Sequence, residues 1–372
     1  MRWEFVLLLL LLVLPGVSCD SEHRSAVEPV RIVTLSGETM GTFWNARLLC
    51  AESDGETVAQ MRHAIETALA QVDAVMSTWR EDSELSRFNQ AESTEWISVS
   101  PELASVVACG LTVSQASRGA FDMTVGPVVN LWKFGPDRTE LERLPTDAEL
   151  SAAKERVGYE KLSVRMEPPA LRKAIPDLYV DLSAIAKGYA VDCVAAVLQQ
   201  SGVENFMIDV GGELRCRGHK RTPSGEPVPW SLGIEVPDLA ANTNGTRVGR
   251  ILETSDLSLA TSGDYRNYRR VGKVQFSHLI DPRSGRPCAL FETDEDVEER
   301  VASVSVVAKE CMEADAWATA LFVLGPEEGI AVAGEDLAVL FIVRTVAGGK
   351  TSYREVVSPA FEREVNSRKV GP

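Results

Sequence analysis

The sequence predicts an α+β fold, with mixed or antiparallel sheets and helices packed against them, on three observations. Strand-like runs and stretches with helical spacing are intermixed without strict βα alternation. The second half opens strand-rich, with "NFMIDVGGELRCRG", "PWSLGIEVPD" and the alternating "VASVSVVA" of residues 301–308. The 372 residues, 45% hydrophobic and 25% charged, are enough for one large or two ordinary domains with well-buried cores.

The elements follow in order. "MRWEFVLLLLLLVLPGVSC" joins a cation, Arg2, to an apolar run from Phe5 to Leu14 that is short for a bilayer span. Ser18 before Cys19 resembles a lipoprotein signal with a lipidated cysteine; Gly16 and Glu4 depart from that pattern, and an ordinary cleaved signal or an uncleaved anchor is the rival. Each of these places the protein outside the cytoplasm. Residues 1–19 are therefore set apart as a signal, 20–36 as a tether, 37–350 as the working domain and 351–372 as a C-terminal tail.

Within the domain, "TMGTFWNARLL" reads as a first strand or the turn entering one. Ile65, Leu69, Val72 and Trp79 fall at helical spacing between Met61 and Trp79. A second helix spans Pro101 to Ser117 and stops at Gly119, and the polar stretch from Pro136 to Leu150 reads as an exposed insertion. Strand-like "LYVDL" leads into "DLSAIAKGYAVD", a helix N-capped by Ser183, continuing to Gln200 and closed by Gly202. "CMEADAWATALFVLG" is a helix ending at Gly325, and "LAVLFIVR" is a last buried strand.

The net charge of −16 disfavours nucleic acid as a partner, because phosphates call for clustered Lys and Arg. An anionic ligand would need local cations or a metal to overcome that field. The seven cysteines form no CxxC, so a zinc site has no support. Without Cys19 an even number remains, which permits disulfides; Cys109, Cys193 and Cys311 sit in apolar segments as small core residues. There is no GxGxxG, no GxSxG and no Walker A motif.

Three constellations carry chemistry. Asp315 and Thr319 share a helix face at i and i+4. They read either as a carboxylate favoured by the helix dipole with a back-bonded threonine, or as oxygen ligands for Mg²⁺. In "SHLIDPRSGRP", His278 precedes Asp281 across a tight turn, as a proton-transfer group or a hydrogen-bonded structural histidine. Arg283 and Arg286 flank that turn as candidate phosphate contacts or a solvated pair. The Gly-Gly of "IDVGGELRCRG" lets backbone approach a ligand, and "TSGDYRNY" is similarly turn-like.

Taken with "MGTFWNARL", "MSTWREDSELSRFN", "GAFDMTVGPVVNLWKFG", "DLSAIAKGYAVD" and "ADAWATALFVLG", these segments resemble, in the same order from about residue 38 to 325, the FAD:protein FMN transferases, or ApbE-like flavin transferases. The resemblance implies an ApbE-like, T-fold-like architecture and a Mg²⁺-dependent reaction with FAD as substrate. FMN would pass to a Thr or Ser hydroxyl of an acceptor protein, with release of AMP. It also implies acceptors among the subunits of membrane redox complexes, and an enzyme anchored at the inner membrane facing the periplasm. By resemblance, Asp315, Thr319 and the carbonyls of Ala184 and Ala318 hold the metal. Met40, Trp79, Ala120, Phe121, Asp122, Asp181 and Lys187 contact FAD, the 120–122 loop largely through backbone and Lys187 near phosphate or nucleotide. Trp79 stands where the family usually has tyrosine. His278 accepts the hydroxyl proton, with Asp281 orienting it or helping to hold metal. Two rivals remain: hydrolysis of FAD to FMN and AMP, and a flavin-binding lipoprotein without turnover.

Overall fold

The computed structural model describes residues 30–51, 55–137, 139–237, 247–264, 267–292, 297–348 and 350–369. The signal segment, Cys19 and the start of the tether lie outside the described residues, as does part of "TSGDYRNY". Among the described residues no helix is long and apolar enough to cross a membrane, and none of the six described cysteines is in a disulfide.

One antiparallel sheet organises the chain, and its strands lie side by side in chain order. They are β1 (Val30–Thr39), β2 (Thr42–Ala51), β3 (Phe206–Val210), β4 (Glu213–Arg217), β5 (Asp256–Gly263), β6 (Val297–Ala308), β7 (Ala338–Ala347) and β8 (Lys350–Val357). Every neighbouring pair is antiparallel. Helices and smaller sheets are inserted between consecutive strands, which is why the sequence shows no regular alternation.

The strand period of two gives this sheet two apolar faces. Along β7, Val339, Phe341 and Val343 face one core while Ala338, Leu340 and Ile342 face the other. The first face is covered by α1 (Gly55–Met76), α3 (Pro101–Ala116), α6 (Ala186–Gln200) and α7 (Cys311–Ala333), with the short α2 (Glu84–Gln90) alongside. Helix α1 presents Met61, Ile65, Leu69, Val72 and Met76, an apolar stripe at i, i+4 and i+3 steps. The second face packs under the strands Trp230–Val236 and Arg247–Thr254 and the C-terminal α8 (Pro359–Glu364), through Trp230, Leu232, Leu252 and Phe361.

A third, smaller core stands beside the sheet. It joins α4 (Gly126–Leu131), α5 (Asp147–Lys154) and the strands Tyr268–Val271, Val274–Ser277 and Leu290–Glu292 around Trp132, Leu150 and Phe276. The Trp132 indole N–H donates to the Gly285 carbonyl at 2.9 Å, closing this satellite onto the turn after Asp281.

Several expectations are corrected. Residues 30–36 are not tether but part of β1, whose pairing with β2 completes a sheet edge. "TMGTFWNARLL" is accordingly the β1–β2 turn and second strand. The 136–150 stretch is not wholly an exposed insertion: Leu141, Leu144 and Leu150 pack on the satellite core, and Thr146 with Glu149 forms a capping box at the start of α5. "LYVDL" is no strand, because its polar backbone is taken elsewhere: the Asn89 amide brackets Val180 with two 2.8 Å bonds, and Asp181 N–H donates to the Met123 carbonyl at 2.7 Å. The 311–325 helix resumes beyond Gly325, a non-helical break followed by Pro326, and runs to Ala333. "LAVLFIVR" is buried but not last, since residues 350–357 add β8 and 359–364 add α8.

Candidate active site

The helical part of "DLSAIAKGYAVD" meets the first turns of α7 through Lys187, Gly188 and Asp192. The crossing is close because Gly188 has no side chain: a Cβ there would stand 2.3 Å from the Cys311 carbonyl oxygen and 2.8 Å from Asp315 Cβ. The neighbouring helix therefore accounts for a glycine at this position. Ser183 does not cap α6, whose N-cap, Ile185, has no side-chain bond. Instead Asp181 Oδ1 accepts from Ser183 N–H (2.8 Å) and Ser183 Oγ–H (2.6 Å), an Asx-type turn ahead of the helix.

Asp315 is 3% exposed and spends one oxygen on backbone. Its Oδ2 accepts from Gly188 N–H at 2.9 Å, the donor that would otherwise close the first helical turn onto the Ala184 carbonyl. That releases the Ala184 carbonyl at the edge of the crossing. Asp315 Oδ1 lies 3.9 Å from Lys187 Nζ, and Lys187 Nζ donates to Glu213 Oε1. Thr319, one turn further on α7, shares a 3.1 Å hydroxyl contact with Ser262 of β5. These are hard oxygen donors: one carboxylate, one hydroxyl and the helix-edge carbonyl of Ala184, with no cluster of three His, Cys, Asp or Glu side chains among the described residues. Such a set fits Mg²⁺ rather than zinc.

The charge balance points the same way. Two buried carboxyl groups, Asp315 and Glu213, face one ammonium, so a cation placed here would offset the cost of ionising both acids. Burial pushes the Glu213 carboxyl up, with Asp315 adding to the shift and Lys187 opposing it. Burial acts to lower the Lys187 ammonium, but Asp315 and Glu213 outweigh it and hold the group above its ordinary range. Lys187 is therefore engaged by carboxylates, where the sequence reading had it near phosphate or nucleotide. Glu213 was missed by that reading. Its signal was a charged residue set directly behind Gly-Gly at the start of an inward-alternating strand.

The residues expected to meet FAD approach the crossing from two directions. Met40 and Gly41 form the two-residue turn between β1 and β2, both at positive φ (48° and 72°), a conformation costly for methionine. A Cβ on Gly211 would lie 2.9 Å from Thr42 Cγ2 and 3.4 Å from Lys187 Cδ, so this hairpin tip stands beside Lys187. From the other direction, the Asp181–Met123 bond ties the Ala120–Asp122 loop to Asp181. The Asp122 carboxylate is consumed internally, accepting from Thr124 N–H and Oγ–H (both 2.7 Å) and from Tyr159 N–H (2.8 Å). Burial nonetheless raises its pKa. That leaves the loop's backbone as its ligand-facing chemistry. Trp79 is 48% exposed, next to Thr78, which lies near the Tyr179 side chain two residues before Asp181.

His278 belongs to the satellite. Its Nδ1 lies 3.1 Å from the Asn267 carbonyl, so Nδ1 must donate and the neutral ring presents a bare Nε2 lone pair. Burial pushes the imidazole down to about 4, against the Asn267 bond and with the Lys187 charge adding to the shift. The result is a neutral base whose ring edge meets Phe134. Asp281 does not orient it. The Asp281 carboxylate is held by Arg283, with 2.9 Å bonds from the backbone N–H and from Nε, and the orienting group is the Asn267 carbonyl that sequence alone did not reveal.

A protein-family model described as the ApbE family matches residues 40–341. The chain belongs to the ApbE family. It is 43% identical over 90% of its length to a protein of Vibrio cholerae serotype O1 called FAD:protein FMN transferase, covering 93% of that protein. A protein of the same name from Escherichia coli K12 is 36% identical, with 95% of each chain covered. The fold is likewise that of solved ApbE structures. The flavin transferase ApbE from Vibrio cholerae superposes with a TM-score of 0.75 at 41% identity, over 90% of this chain and 99% of that one. The apo flavinyl transferase ApbE of Pseudomonas stutzeri gives 0.74 at 34% identity, over 90% and 96%.

Proposed function

We propose that this ApbE-family member is a Mg²⁺-dependent FAD:protein FMN transferase. It is an enzyme, a transferase, in keeping with its curated relatives. FAD is the substrate, and a Thr or Ser hydroxyl of an acceptor protein takes FMN as a phosphoester with release of AMP. The observation that carries the reading is the opposition of two kinds of group: an electronegative oxygen cluster at the α6–α7 crossing, and a neutral histidine with a free Nε2 that senses the Lys187 charge.

The residues divide the work. Met40, Trp79, Asp181 and the backbone of Ala120–Asp122 bind and orient the dinucleotide. His278 Nε2 takes the proton from the acceptor hydroxyl as its oxygen bonds to the FMN phosphorus and the bond from that phosphorus to the AMP oxygen breaks. Lys187 balances Asp315 and Glu213 and keeps the carboxylates apart from the incoming phosphates. Mg²⁺, held by Asp315, Thr319 and the carbonyls of Ala184 and Ala318, would neutralise phosphate charge against a −16 chain. Asp281 and Arg283 form the rim of the His278 turn. The signal segment supports a lipid-anchored enzyme outside the inner membrane, acting on subunits of membrane redox complexes.

The test is incubation of the full chain with FAD, Mg²⁺ and a candidate acceptor domain, following AMP and acceptor mass. A mass gain of one FMN phosphoester supports transfer. AMP without that gain would make the enzyme a hydrolase, and neither product would leave a flavin binder.

A further inference from the structure

The helix that carries Asp315 and Thr319 does not cap itself. Glu310 occupies the N-cap of α7 with extended backbone, yet its side chain makes no cap bond, so the first amide N–H groups need another acceptor. That acceptor comes from α6. Asp192 Oδ1 accepts from Cys311 N–H at 3.0 Å, and Asp192 Oδ2 accepts from Met312 N–H at 2.9 Å. The same Oδ1 receives Arg215 Nη1 at 2.7 Å, from the strand β4 that also delivers Glu213 to Lys187.

We propose that Asp192 is a positioning residue for the cation site, supplying the missing cap of α7 across the helix–helix crossing. Two clamps four residues apart on α6 then act on successive turns of α7: Asp192 on its first amides and Gly188 N–H on Asp315 Oδ2. Together they fix the depth and rotation of α7, and with them the direction of Asp315 Oδ1 and Thr319 Oγ1. The carboxylate also sits at the positive end of the helix dipole, so its charge and its geometry serve the same end. Arg215 neutralises the half-buried acid. The inference rests on the reading of Asp315 and Thr319 as cation ligands.

The experiment is calorimetric binding of Mg²⁺ to the full chain, without FAD, for four proteins. The wild type must bind Mg²⁺; if it does not, the cation reading itself fails. Asp192→Asn keeps size but loses one acceptor and the charge, and its Mg²⁺ Kd rises about 10-fold, the lower end of what lost outer-shell support costs. Adding Glu310→Asp in that background gives α7 a short local cap and restores the Kd to within about threefold of wild type. Arg215→Met breaks the ion pair, leaves the cap, and stays within the same range. Wild-type affinity in Asp192→Asn overturns the inference, and so does a Kd unrescued by Glu310→Asp. An equal loss in Arg215→Met also overturns it, because the ion pair rather than the cap would then be responsible. If Asp192→Asn alone fails to fold, the Glu310→Asp double variant decides: folded with near-wild-type affinity it supports the cap, unfolded or weak it refutes it.

Discussion

At the α6–α7 crossing, buried Glu213 and Asp315 meet the partly buried Lys187, with Asp315 also tied to the Gly188 amide, whereas His278 sits on a separate apolar satellite as a neutral ring held through one carbonyl oxygen. The difference follows from solvation. Charges removed from water survive only with opposite charges and donors close by, so the crossing is dense and its tolerance for displacement small. The histidine meets burial by shedding its proton, which suits a base and needs few partners. The proposed cation site and the proposed proton acceptor thus call for opposite environments, and the fold keeps the two groups of residues on different cores.

The largest expected effect comes from removing the negative charge that distinguishes the first side. Asp315→Ala leaves Lys187 and Glu213 as a closed pair, and FAD turnover falls about 10³-fold or more, beyond the loss of a single preorganised donor. Mg²⁺-titrated AMP release measures it, and full Mg²⁺-dependent activity in this variant would break the contrast. His278→Ala lowers transfer by about 10²- to 10⁴-fold while FAD affinity is retained, as measured by single-turnover flavinylation and equilibrium binding.

The pH dependence sharpens the comparison. Because the folded His278 titrates near 4, below the ordinary histidine value, the base form persists from pH 8 down to about 5 and is lost only as pH falls through about 4. A rate profile falling near pH 6.5 would mean that the ring is solvated and the two environments are alike.

Smaller effects are expected from packing alone. Gly188→Ala pushes a methyl into the Cys311 carbonyl and Asp315 Cβ, costing about 1–3 kcal/mol in urea unfolding and weakening Mg²⁺ binding in parallel. Phe134→Leu removes the ring edges facing His278 and Phe276, whose centroids lie 6.3 and 5.9 Å away. It costs about 0.5–1.5 kcal/mol and leaves Mg²⁺ affinity at the wild-type value. A coupled loss of Mg²⁺ binding there would show the two cores to be one mechanical unit.

Much of this architecture was written in local pattern. The stripe Met61–Ile65–Leu69–Val72 names its helix, the alternation of 301–308 and the unbroken apolar run of 337–343 name two sheet strands, and Asp315 with Thr319 at i and i+4 names a shared helix face before any fold is known. "LYVDL" misled because alternation reports apolar faces, not which hydrogen-bond partner arrives, and here the partners were Asn89 and Met123. The tether and tail misled for a related reason: β1 and β8 are edge strands with exposed faces, so their composition resembles surface chain.

By itself the sequence determined the α+β class, the four long helices, the family, and Asp315, Thr319 and Lys187 among the polar residues that gather at the crossing. Only the tertiary structure decided their partnerships. Glu213 meets Lys187 from 26 residues away, Asp192 reaches Met312 from 120, and the carbonyl that sets the His278 tautomer belongs to a residue whose side chain is irrelevant to the task. Local periodicity fixes which face a side chain takes on its own element, because that depends on backbone geometry over a few residues. Which charge or carbonyl lies across from it depends on how distant elements pack, and no short stretch of sequence contains that distance.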